Sequence, residues 1–128
     1  ELPEQKLISF VMFGMPELDE NLKGEPALAQ RMAVRYHLKN FTPEVVVDYV
    51  RFRLFHAGCD RQVFSADALA KLHEYTNGNP RLINVVCDNA LFEGFVRRTT
   101  LPMPAEVIED VVGDLGLKDP QFRVTAGL

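Results

Sequence analysis

Asn77-Gly78-Asn79-Pro80-Arg81 punctuates the chain between two helical patterns. Asn77-Gly78 ends the first, because glycine enters the left-handed turn that closes a helix without a steric cost. Asn79 is a good N-cap for the second, and Pro80 suits its first position, where no amide hydrogen is needed. Arg81 breaks the local rule. It puts a cation in the first turn, where the helix macrodipole is positive, at a typical penalty of a few tenths up to about 1 kcal/mol. A rule broken at a rigidly built helix start is where a functional residue is expected. An arginine beside a helix N-terminus suits a phosphate group. The plain alternative is an exposed arginine with an acidic neighbour in space.

Working outward, the pattern stays helical. The helix after Asn79 is expected over Pro80 to about Arg97, and Met103-Pro104 leads into another that runs to about Asp114. On the other side, Ser65 caps a helix carrying Ala66, Leu69, Leu72 and His73 and reaching about Thr76. Before it, Thr42, Pro43 and Glu44 supply an N-cap, a first-position proline and an acidic first turn. Val46, Tyr49, Val50, Leu54 and Ala57 then fall at three- and four-residue spacing, one apolar stripe, until Gly58 stops it.

The first 40 residues read differently. Leu7 to Gly14, LISFVMFG, is continuously apolar and suits a strand buried on both faces. A short helix is expected over Pro16–Leu22, and Ala27 to Arg31 adds a helical turn or two. Met32, Val34, Tyr36 and Leu38 alternate with Ala33, Arg35 and His37, the period of a strand with one buried face. Two strands alone are marginal in water. The predicted architecture is therefore mainly α: a strand-helix-strand remnant of an α/β core over 1–40, a helical bundle over 41–115, and a tail over 116–128. Exposed strands of this kind seek new partners, so self-association through them is expected.

Composition bounds the rest. The chain has 128 residues, 47% of them apolar, and a formal net charge of −4, a size and make-up for about one domain and not for nonspecific attraction to nucleic acid or anionic lipid. Cys59 and Cys87 stand 28 positions apart without a CxxC neighbour, which argues against zinc and for free thiols in a reducing cytoplasm. His37, His56 and His73 lack metal spacing, and His73, near an apolar stripe, reads as a satisfied, partly buried histidine. Phe41, Phe52, Phe55, Phe64, Phe92 and Phe95 read as core or packing residues. No apolar run reaches the ~18–20 residues of a membrane span. The chain opens on Glu1, as expected of a segment of a longer protein.

The run GNPRLINVVCDNAL, Gly78 to Leu91, resembles the sensor-2 segment of AAA+ ATPases, and more narrowly the ATPase of the general secretion pathway protein A type. In that family a G-x-P-R-x-I-N segment opens a lid helix; here Gly78, Pro80, Arg81, Ile83 and Asn84 match. Upstream, FGMPELDENL (Phe13 to Leu22) and QRMAVRYHLKNFTPEVVVDYVRFRL (Gln30 to Leu54) resemble a strand followed by G-x-P-E-L and then Q-R-x-x-x-R-Y-H-L. The likeness covers roughly residues 7 to 95 in order.

The resemblance implies roles. Arg81 is sensor 2, reaching the γ-phosphate of ATP; Arg31 is the arginine-finger candidate, acting on a neighbouring subunit's nucleotide, with Arg35 as a second candidate whose expected role is structural. Asn84, one turn after Arg81, either steadies the guanidinium or the substrate, or packs the lid. ATP and Mg2+ are implied for the longer protein and none for this chain, which carries no GxxxxGK[ST] loop and no strand ending in paired acids, and so is not expected to hydrolyse ATP itself. The implied function is ATP-driven work for type II secretion, pilus or exopolysaccharide export at the cytoplasmic side of the membrane. Implied partners are like subunits in a homo-oligomer and components of the export system. Met15 departs from the family, which has a polar sensor-1 residue there; a thioether cannot orient water as an amide does. Two other readings stay open: a noncatalytic helical interaction module, and the lid of a DNA-associated, transposition-type ATPase.

Overall fold

Among the residues described by the computed structural model, which are Gln5, residues 8–119 and Gln121, there are six helices and no ladder longer than a single bridge. The chain separates into two units, Glu1–Leu38 and Lys39–Leu128.

In the first unit, α1 spans Glu17–Lys23 and α2 spans Pro26–Arg31. Glu17, Asp19 and Glu20 occupy the first turn of α1 and Lys23 its last, the arrangement the macrodipole favours. Leu22 is the buried residue of α1. The strands expected over Leu7–Gly14 and Met32–Leu38 are not formed among the described residues; Leu7 itself lies outside them. Phe10 and Phe13 are 86% and 88% exposed, and Val34, Tyr36 and Leu38 are exposed as well. The reason is physical: a continuous apolar strand needs a ladder partner and cover on both faces, and this stretch of chain supplies neither.

The second unit holds α3 (Pro43–His56), α4 (Ala66–Thr76), α5 (Pro80–Val96) and α6 (Ala105–Asp114). Helix α4 packs against α3, α5 and α6, and α5 packs against α6. The expected caps are in place. Thr42 Oγ1 accepts from the Val45 amide at 3.4 Å and Ser65 Oγ from the Ala68 amide at 3.1 Å. Val46 and Val50 of α3, Leu72 of α4, Ile83 and Val86 of α5, and Ile108 and Val112 of α6 meet in one core. Each such side chain contributes roughly 1.5–3 kcal/mol when fully buried. Leu117 joins this core, which thus continues past residue 115. A bridge between Phe64 and Met103 ties the α3–α4 connection to the α5–α6 connection; the Ser65 amide donates to the Met103 carbonyl at 2.9 Å.

Three helices end alike. In α3, α5 and α6 the amides of Cys59, Thr99 and Leu117 reach back to the carbonyls of Leu54, Gly94 and Val112, each at 2.9 Å. Each closure needs one left-handed residue. Gly58 and Gly116 serve α3 and α6, but Arg98, with φ of 52°, serves α5. That conformation costs a residue with a side chain roughly 1–2 kcal/mol.

The aromatic residues depart from expectation. Phe64 is buried and Phe41 half-buried, but Phe52, Phe55, Phe92 and Phe95 are exposed, because α3 and α5 turn those faces away from α4 and α6.

Candidate functional site

The joint between α4 and α5 is built from the residues that punctuate the sequence. Thr76, fully buried, donates its hydroxyl to the Leu72 carbonyl at 2.6 Å and so satisfies itself inside its own helix. Asn77 and Gly78 both have positive φ, 50° and 72°. The turn is closed by the Asn79 amide, which donates to the Thr76 carbonyl at 3.0 Å. Asn79 Oδ1 then accepts from the amides of Arg81 at 3.0 Å and Leu82 at 3.2 Å, satisfying two of the donors a helix start leaves open. Pro80 fills the first helical position.

Gly78 is required for two reasons. Its φ is left-handed, and the space its side chain would take is occupied. A Cβ there would overlap the Phe41 carbonyl oxygen and lie 2.8 Å from that residue's carbonyl carbon and amide nitrogen. The Phe41 amide donates to the Gly78 carbonyl at 2.8 Å, so the two backbones are in direct contact. The Phe41 carbonyl in turn lies 3.2 Å from His73 Nε2; since a carbonyl only accepts, that nitrogen carries the proton. His73 is thus partly buried and satisfied, as its setting in the sequence suggested.

From this joint Arg81 projects outward. It is exposed, while Ile83, two residues on, is buried at 1%. No ion pair to Arg81 forms among the described residues, so the acidic neighbour that would explain it plainly is missing from them. Asn84 is engaged elsewhere: its Oδ1 accepts from the Tyr49 hydroxyl at 2.8 Å, in a partly buried setting. The Tyr49 ring sits 5.2 Å from that of Phe41, tilted by 57°, and the Arg53 guanidinium stands 6.0 Å above it. The turn at Gly78, the aromatic pair and Asn84 therefore fix the start of α5 to α3. Phe41 and Tyr49 are residues of this candidate site that the sequence marked only as packing or apolar-stripe positions. The available signal was Gly78, whose missing side chain implies a backbone neighbour without naming it.

The remaining sequence candidates, Arg31, Arg35 and Met15, belong to the first unit. Arg31, in the first unit, ends α2, is exposed, and makes no ion pair among the described residues. Arg35 donates through Nη2 to the Ala29 carbonyl at 3.3 Å, a contact within its own unit that suits a structural part. Met15 is exposed, and its carbonyl accepts from the Leu18 amide at 2.9 Å at the start of α1. His37 Nε2 lies 2.8 Å from Asp19 Oδ2. Among the described residues no group of three or more potential metal ligands assembles, and no helix is long and apolar enough to cross a membrane. Cys87 is partly buried, and burial, helped by the charge of Asp88, pushes its thiol up to about 12.

Comparison with known proteins returns no matching family model and no matching solved structure. The chain is 46% identical over 100 residues to the General secretion pathway protein A of Aeromonas hydrophila. That overlap takes in 76% of this chain and 18% of the relative, so the chain spans less than a fifth of that protein's length. Identity at this level across three quarters of its residues places the chain in the general secretion pathway protein A type, as the counterpart of one stretch of the longer relative.

Proposed function

We propose that this chain is the sensor-2 lid of a AAA+ ATPase, together with the adjoining end of its nucleotide-binding core, in a protein that works for a secretion system of the type II, pilus or exopolysaccharide export class. The observation that carries the reading is Arg81: an exposed guanidinium, without an ion pair among the described residues, on a helix start fixed by Asn79, Gly78 and Phe41. The name of the relative supports the secretion role.

On this reading ATP, with Mg2+, is held chiefly by parts of the longer protein outside this chain. This chain supplies cations. Arg81 approaches the terminal phosphate with its planar donor fork, from a helix start whose macrodipole favours an anion. Arg31 serves as the arginine finger toward a neighbouring subunit, where it stabilises charge on the transferring phosphoryl group. Asn84 holds α5 in place through Tyr49 and does not itself contact nucleotide.

Arg81→Ala in the full-length protein tests this. ATP turnover is expected to fall at least about tenfold, the weight of one charged transition-state contact. Unchanged turnover with unchanged ATP affinity sinks the assignment. Stability should not fall in parallel, because removing a cation from a positive helix end is neutral or favourable by a few tenths of a kcal/mol.

A second reading, a noncatalytic helical interaction module, is favoured by Met15 at the position where the family has a polar residue. Absence of any ATP turnover in the full-length protein, with normal folding, would select it.

A further inference from the structure

We propose that the apolar groove at the C-terminal end of α5 is a docking site for an acidic amphipathic peptide segment of a partner protein. This proposal does not depend on the ATPase reading. The groove is open, has a volume of about 690 Å³, and lies between the last turns of α5 and the two connections that the Phe64–Met103 bridge ties together. Val63, Leu101 and Met103 form its floor, and Phe95 and Val96 stand on its wall. Phe95 is 81% exposed, a large apolar side chain left uncovered.

Its charge identifies the occupant. Arg61 and Arg98 line the groove, and no carboxylate does. This local excess of positive charge runs against a chain whose net charge is −4. Two carboxylates on α5 and α6 are engaged by the neighbouring Arg97, whose Nε holds Glu93 at 2.6 Å and whose Nη1 holds Asp110 at 2.8 Å. Arg61 and Arg98 make no ion pair among the described residues. An apolar lining that also carries two guanidinium groups without ion pairs among the described residues matches a peptide that sets Leu or Phe into the groove and offers Asp or Glu beside them, where arginine binds carboxylate in a paired geometry. Anionic lipid is a poorer match, since the site is concave, has two cations, and belongs to an acidic protein.

Arg98 adds an independent indication. It occupies the left-handed position that Gly58 and Gly116 fill at the ends of α3 and α6. A side chain kept where the backbone prefers glycine points to a use for that side chain.

The test uses the 128-residue chain and a fluorescein-labelled twelve-residue peptide alternating Leu or Phe with Glu, followed by anisotropy at low and high salt. A second peptide carries Lys in place of every Glu. The acidic peptide is expected to bind, more weakly in high salt, and the basic peptide at least about tenfold more weakly. Arg61→Ala and Arg98→Gly should each weaken binding about fivefold, the scale of one exposed charge pair. Arg98→Gly should do so without lowering the melting temperature, since glycine suits that backbone; a merely structural role for Arg98 would leave binding unmoved. Equal binding of both peptides, no binding of the acidic peptide, unchanged binding by both variants, or displacement of the peptide by vesicles of anionic phospholipid would each overturn the proposal.

Discussion

The Tyr49 hydroxyl donates to Oδ1 of Asn84 across 2.8 Å, joining the middle of α3 to the second turn of α5. It is a long-range side-chain bond in a partly buried setting, and both partners would lose something if it broke. Tyr49→Phe should destabilise the chain by about 1 kcal/mol, with Asn84 left short of a donor. For a unit of this size that lowers the melting temperature by about 4–8 °C. A double-mutant cycle with Asn84→Ala should return a coupling of about 0.5–1.5 kcal/mol; additive effects would mean the bond contributes nothing.

Gly78→Ala should be far more damaging than its single added methyl suggests. The residue is left-handed, and its Cβ would strike the Phe41 backbone, which has no side-chain freedom with which to yield. The left-handed penalty of roughly 1–2 kcal/mol adds to an overpacking term of about 1–3 kcal/mol. Chemical denaturation should show a loss of about 2–5 kcal/mol. A loss under 1 kcal/mol would mean the Phe41 segment moves aside freely.

The two cysteines should differ in reactivity. The thiolate is the reactive form, and burial holds the Cys87 thiol at about 12. At pH 8 iodoacetamide should leave Cys87 unmodified in the folded chain and label it on unfolding, as peptide mapping would show. The sign for stability follows. The folded value lies above the ordinary 9.0, so the unfolded chain releases this proton first as pH rises. Stability carried by neutral Cys87 is intact below pH 9 and is lost progressively between pH 9 and about 12. Cys87→Ser should flatten that part of the stability profile.

Self-association is expected through the uncovered apolar segments around Phe10, Phe13 and Tyr36, each more than four-fifths exposed. Static light scattering of the 128-residue chain should show mass rising with concentration, and Phe10→Lys with Phe13→Lys should suppress the rise. A clean monomer at all concentrations would contradict this.

The helices were legible because their signals are local. Ser65, Thr42 and Asn79 each sit where a cap must sit, and the structure gives each side-chain oxygen the amide it was expected to accept from. The strands were not legible in the same way. LISFVMFG is a correct statement of strand preference, but pairing is a property of the neighbours, and preference cannot create them. The aromatic residues failed for a related reason: the sequence marks Phe92 and Phe95 as apolar, while burial depends on whether another helix lies over that side of α5, and no described helix of the second unit covers them. At the candidate site, the left-handed turn and the capped helix start could be read from NGNPR. The contact of Gly78 with Phe41 could not, since 37 positions separate them and only the folded chain closes that distance.

That contact has a mechanical consequence. Lys39 begins the second unit, and two residues later Phe41 is bonded to the turn from which Arg81 projects. Tension applied to the chain at its entry into the bundle therefore reaches the Arg81 turn directly through an amide-to-carbonyl link, beside the contacts that Phe41 makes with His73, Tyr49 and the core.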